Sequence, residues 1–156
     1  MAISNSATAA RVPPPGVFVP VPTFFKGESS GKTSAAVDVA TQVEHSTHLA
    51  RAGIHGLVLL GSTGEAIHLS QRERVDLVSG VRKGLEEAGF KDYPIMAGVL
   101  TNSVEDVLDE LHAMAGAGAD WGLVLAPGYF GAVATQDNLI QWYTRVAEES
   151  PLPILM

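Results

Sequence analysis

Leu57-Val-Leu-Leu-Gly61-Ser62-Thr63-Gly64-Glu65-Ala66 decides how this chain is read. Four apolar residues run straight into a turn of small ones. The apolar part is too short for a helix and reads as a strand buried on both faces. In parallel α/β folds, ligands bind at the C-terminal ends of such strands. Gly61 and Gly64 are read as permitting positive φ and a close approach of backbone. Ser62 and Thr63 then offer two hydroxyls and several N–H donors to an anion, and a carboxylate suits that geometry. No Gly-Lys-Ser/Thr follows, so the turn is not a Walker A loop. The third glycine of a dinucleotide fingerprint is also missing. The plainer alternative is a tight turn in which Ser62 and Thr63 act as local caps.

Outward from this turn, two kinds of segment alternate. Short apolar runs at 16–23, 56–60, 94–99, 121–125 and 153–156 read as strands. Longer runs at 36–52, 71–85, 104–115 and 136–147 place apolar residues three and four apart, which gathers them on one helical face. Ser70 with Glu73 forms a capping box, Ser103 with Asp106 a weaker version, and Thr135 can cap the last helix. Gly53, Gly89, Gly116 and Gly118 follow helical stretches, where a left-handed residue is often required. Strand alternating with helix predicts parallel strands and right-handed crossovers.

Two architectures satisfy this order. One is a five-stranded doubly wound sheet, in strand order 2-1-3-4-5. The other is the first half of an eight-stranded barrel, in order 1-2-3-4-5. The last residues, Pro151-Leu-Pro-Ile-Leu-Met156, stop inside an apolar strand with no closing helix. A strand left uncovered there would expose its hydrogen-bonding groups, which favours the barrel half and a sequence that stops short.

Two further segments fall on the same rim of the fold. Leu123-Val-Leu-Ala-Pro127-Gly128-Tyr129-Phe130 brings a tyrosine to the end of the fourth strand, as a proton donor or as packing. Gly98-Val-Leu-Thr101-Asn102-Ser103 reads as a capped turn. His45, His48, His55, His68 and His112 show no HExxH or HxH spacing, and no metal site is expected. There is no GxSxG elbow.

Composition narrows the function class. Hydrophobic residues make up 46% of 156 and charged residues 17%, enough for a sizeable core. The net charge of −7 and ten scattered Lys and Arg residues argue against a nucleic-acid partner or an anionic membrane surface. No apolar run approaches the ~18 residues of a membrane-spanning helix. With no cysteine, disulfide, thiolate and Fe–S chemistry are excluded. Residues 1–15 read as a disordered tail ahead of a domain at 16–156. A cytoplasmic location is expected. The Ala-, Ser- and Thr-rich start, with one Arg and no acid, gives the mitochondrion as the alternative.

At these residues the chain resembles the dihydrodipicolinate synthase / N-acetylneuraminate lyase family of pyruvate-dependent class I aldolases. Gly61-Ser-Thr-Gly-Glu65 resembles its Gly-Ser/Thr-Ser/Thr-Gly-Glu signature, and His68-Leu-Ser-Gln-Arg-Glu-Arg74 its following helix start. Pro94-Ile-Met-Ala-Gly98, Ala117-Gly-Ala-Asp120, Ala126-Pro-Gly-Tyr129 and Leu152-Pro-Ile-Leu-Met156 follow in the family's order. The resemblance covers residues 16–156.

What the resemblance implies is a (β/α)8 TIM barrel of which about four and a half β/α units are present. It further implies a homotetramer built as a dimer of dimers, and a lysine that forms an imine with pyruvate, with no separate cofactor. By position, Ser62 matches the relay hydroxyl. Thr63 matches the residue that binds the pyruvate carboxylate, between Gly61 and Gly64. Tyr129 matches the relay tyrosine that reaches into the neighbouring subunit's site. The family's strand-five tyrosine would come immediately after Met156, and the lysine further on. Lys26, Lys32, Lys83 and Lys91 all read as solvated, so the 156 residues alone are expected to be inactive.

The implied reaction is the joining or splitting of pyruvate and an aldehyde, of the 4-hydroxy-tetrahydrodipicolinate synthase type. The alternative is a 4-hydroxy-2-oxoglutarate or 2-keto-3-deoxy-sugar-acid aldolase. Gly128, where the family often has an aromatic, and the proline-rich start at 14–23 favour that branch. A reading of another class is a non-catalytic module holding a small anion at 61–64.

Overall fold

The computed structural model describes residues 12–27, 36–129, 131 and 134–156. Most of the expected tail and Lys32 therefore lie outside the described residues. Five strands alternate with four helices: β1 Phe18–Pro20, α1 Val39–Arg51, β2 Gly56–Leu59, α2 Gln71–Glu87, β3 Ile95–Val99, α3 Val104–Ala117, β4 Trp121–Val124, α4 Gln136–Glu149 and β5 Ile154–Leu155. All neighbouring strands pair in parallel. Their order is β1-β2-β3-β4-β5, which rules out the doubly wound arrangement.

The helix signals in the sequence operate as read. Ser70 and Glu73 make the reciprocal capping box on α2, and Ser103 and Thr135 cap α3 and α4. Gly53, Gly89 and Gly118 take left-handed backbone past helix ends, whereas Gly116 lies inside α3. One boundary differs. The helix expected from residue 36 begins at Val39, because the preceding residues are used elsewhere. Val37 forms an antiparallel bridge with Phe25. Lys26 N–H donates to Ala36 O at 2.8 Å, Asp38 N–H donates to Phe24 O at 2.7 Å, and the Asp38 carboxylate then caps Thr41 N–H.

Both faces of the sheet are apolar. Leu57, Leu59, Ile95 and Ala97 face the helices and pack with Leu77, Val78, Val81 and Leu85 of α2. On the other face Val58, Met96 and Trp121 stand in one register row, joined by Phe18, Leu123 and Leu155. A row of side chains from successive strands is how the interior of a β/α barrel is filled. Outside the sheet, α1 rides close on α2 because Gly80 and Gly84, one turn apart, leave room for Val39 and Val43. A Cβ at Gly84 would fall 2.2 Å from Val43 Cγ1.

Candidate active-site rim

The turn after β2 is built by unusual backbone, though not where the sequence places it. Left-handed φ falls on Leu60 (60°) and Glu65 (52°), and Gly61 and Gly64 keep ordinary values. For a branched or long residue that conformation is disfavoured by contact between Cβ and carbonyl oxygen, so surrounding contacts must hold it. Gly64 is required for a different reason. A Cβ there would lie 3.1 Å from Leu60 N and 3.2 Å from Val21 O, so this glycine lets three backbone segments meet. Gly61 has open space, its nearest neighbour being Val58 Cγ1 at 4.0 Å.

The turn folds back on Gly61. Gly64 N–H donates to Gly61 O at 3.0 Å, Glu65 N–H to Ser62 O at 3.1 Å, and Ala66 N–H reaches Gly61 O at 3.5 Å. Ser62 and Thr63 project into solvent, and their N–H groups make no hydrogen bond among the described residues. Adjacent N–H donors beside two hydroxyls are the chemistry that an anion needs. Gly61, Ser62, Thr63 and Gly64 thus form one tight turn, called the cradle below for the role proposed for it.

Residues that the sequence did not single out support it. Thr23, at the end of the first apolar run, is buried and donates its hydroxyl to Gly64 O at 2.6 Å. Gly98 of β3 makes room for the Leu60 carbonyl, since a Cβ there would fall 2.2 Å from Leu60 O. An isolated glycine inside a strand is the signal that could have revealed this approach. Arg74 of α2 donates to Leu69 O at 2.6 Å and Ala66 O at 3.3 Å, and forms a two-pronged pair with Glu110 of α3 at 2.7 and 3.0 Å. This pair itself lines a cleft of about 270 Å³, with Ile67, Gln71, Thr101 and Asp106 among others, and none of residues 61–64 lines it.

Tyr129 sits on the loop after β4 and is 81% exposed. Its N–H donates to Asn102 Oδ1 at 3.4 Å, while Asn102 O accepts from Trp142 Nε1. Asn102 therefore ties the β3 and β4 loops to α4, more than the capped turn read from residues 98–103. Two strand spacings, about 10 Å, separate the ends of β2 and β4. Tyr129 is on the same rim but on a different loop from the cradle.

Among the described residues no group of three His, Asp or Glu side chains is placed to hold a metal ion. His45 packs edge-on against Phe24, and His55 accepts from Val17 N–H. The described lysines, Lys26, Lys83 and Lys91, are all exposed. No described helix is long and apolar enough to cross a membrane. Just past the cradle, the Ser70 hydroxyl and then its N–H hold the Glu73 carboxyl below the usual glutamate range.

Comparison with known proteins agrees with this fold. The Dihydrodipicolinate synthetase family profile matches residues 17–156. The L-threo-3-deoxy-hexylosonate aldolase of Hypocrea jecorina is 35% identical over 92% of this chain and 44% of its own length. A Coccidioides immitis protein named for a mitochondrial 4-hydroxy-2-oxoglutarate aldolase is 38% identical over 94% of this chain and 44% of its own length. The crystal structure of a dihydrodipicolinate synthase from Acinetobacter baumannii complexed with pyruvate superimposes with a TM-score of 0.74 at 27% identity, covering 89% of this chain and 44% of that one. The chain thus spans less than half the length of these proteins. Its five strands and four helices are the first part of a TIM barrel.

Proposed function

The chain belongs to the dihydrodipicolinate synthetase family, and from that membership we propose that the protein it forms part of joins or splits pyruvate and an aldehyde through a lysine Schiff base. The observation that carries the reading is the pair of unpaired N–H groups at Ser62 and Thr63, held at the C-terminal end of β2. They would receive the pyruvate carboxylate, with the Thr63 hydroxyl as a third donor. Fixing the carboxylate orients the keto carbon toward the amine and removes the rotational freedom of a small substrate. Ser62 would pass a proton to the departing carbinolamine hydroxyl. Tyr129, exposed on its own loop, would complete that relay in the neighbouring subunit's site of an oligomer.

The lysine would come from the second half of the barrel. An imine protonated at neutral pH acidifies the adjacent methyl group; loss of one of its protons to a base leaves an enamine, whose carbon attacks the aldehyde as a carbanion equivalent. No separate cofactor is needed for that step.

Two substrate classes share this half-site. The first is the condensation of pyruvate of the 4-hydroxy-tetrahydrodipicolinate synthase type. The second is cleavage of 4-hydroxy-2-oxoglutarate or a 2-keto-3-deoxy sugar acid. Gly128 supports the second: among the described residues only Ala126 O, at 4.0 Å, comes within reach of its Cβ position, on the side where the family often has an aromatic. The names of the two fungal relatives point the same way. The mitochondrion in one of those names supports the mitochondrial alternative to a cytoplasmic location.

Borohydride reduction of the complete barrel with pyruvate is the deciding experiment. A mass gain of one reduced pyruvyl group on a lysine is expected. Its absence at saturating pyruvate rejects the Schiff-base reading and leaves the anion-binding module. Ser62→Ala is expected to lower turnover about 100-fold, in the range of a lost acid–base group. Thr63→Val chiefly raises the pyruvate concentration needed for half-trapping.

A further inference from the structure

We infer that Arg74, fixed by Glu110, is a positioning residue for the carboxylate cradle. The inference rests on the proposed pyruvate reading of that site and adds a residue to it that touches no substrate.

The cradle is strained at both ends, with Leu60 and Glu65 in left-handed backbone. Such residues persist only where the surroundings over-determine them. The Leu60 end is held within the sheet, by the fit of its carbonyl against Gly98. The Glu65 end has no strand to hold it and passes directly into a single 3-10 turn, Ala66–His68. Arg74 grips that turn from behind. One Nη donates to both Ala66 O and Leu69 O, the carbonyls at its start and just past its end. The N–H of Ala66 points back to Gly61 O, so a single residue joins the arginine to the first glycine of the cradle.

The remaining guanidinium edge explains why the arginine stays in place. Nε and the other Nη form two parallel bonds with Glu110, which is 6% exposed. A planar fork that satisfies a carboxylate on one edge and two carbonyls on another has little freedom to move, and an ammonium cannot reproduce it. A buried carboxylate has few other reasons to sit on the inner face of α3, facing a neighbouring helix. The pair therefore transmits the position of α3 to the turn, and through the turn to the N–H groups of Ser62 and Thr63.

The test separates holding the fold from holding the cradle. In the complete barrel, the pyruvate concentration for half-maximal borohydride trapping and the Tm are measured for the parent, Arg74→Lys, Arg74→Glu, and the exchanged pair Arg74→Glu with Glu110→Arg. The exchange restores opposite charges but moves the fork to α3, away from Ala66 O and Leu69 O. Arg74→Lys is expected to raise half-trapping about tenfold with a small fall in Tm. The exchanged pair is expected to regain Tm relative to Arg74→Glu alone while keeping the raised half-trapping value. Parental half-trapping in Arg74→Lys, or in a folded exchanged pair, would overturn the inference and leave the pair a structural tie. No pyruvate adduct in the parent itself would instead reject the Schiff-base reading, and this inference with it.

Discussion

The hydroxyl of Thr23 and the carbonyl of Gly64 are joined by a 2.6 Å hydrogen bond in the buried space between the end of β1 and the β2 turn. It links residues 41 positions apart. Thr23→Val preserves shape but leaves a buried carbonyl without its donor, at a cost of about 1–3 kcal/mol. Urea denaturation of the complete barrel checks this. Thr23→Ser, which keeps the hydroxyl, should recover most of the loss.

Gly98 and Gly61 should respond oppositely to alanine. At Gly98 the added Cβ meets the Leu60 carbonyl, which cannot retreat without moving the cradle. The expected loss is about 1–3 kcal/mol of stability, together with weaker pyruvate trapping. At Gly61 there is space and an ordinary φ, so Gly61→Ala should shift stability by less than about 1 kcal/mol. Equal Tm losses in the two variants would contradict this account.

The Ser70–Glu73 box makes part of the stability dependent on pH. Because the Glu73 carboxyl is held below its usual range, its ionised form is the one that favours the fold. Its contribution is complete above the ordinary glutamate pKa of about 4.3 and is lost as pH falls through the lowered folded-state value. The stability gap between parent and Glu73→Ala should therefore be open at about pH 7 and narrow progressively as pH falls below about 4.3. Ser70→Ala should cost about 1 kcal/mol at neutral pH.

Gly84→Ala should destabilise even though alanine is the better helix former by about 1 kcal/mol. The new methyl would overlap Val43 Cγ1 and push α1 away from α2. Pairing it with Val43→Ala should restore much of the loss, which thermal melts of the three variants can measure.

What the sequence disclosed depended on the range of the interaction. Alternating apolar runs gave every strand and helix, and Ser70, Ser103 and Thr135 gave three helix starts, since capping acts within a few residues. The turn was legible because Gly61–Glu65 is contiguous. Its strain was assigned to the wrong residues, because the glycines serve close approach while Leu60 and Glu65 bend the chain. That distinction depends on what lies across from each residue. Thr23, Gly98 and the Arg74–Glu110 pair were missed for the same reason: each acts on a partner at least 30 residues away or on another strand. Residue 36 was misjudged as helical because the bridge between Phe25 and Val37 has no signature in either segment alone.

The order β1-β2-β3-β4-β5 has a consequence for how the chain comes to be folded. Each strand pairs with the one made just before it, one crossover helix away. Each of these four pairings spans a single crossover, so none of them waits for polypeptide beyond the next strand. On a ribosome, synthesis and sheet assembly can therefore advance in the same direction. The turn after the second strand would take shape while the later strands are still being translated.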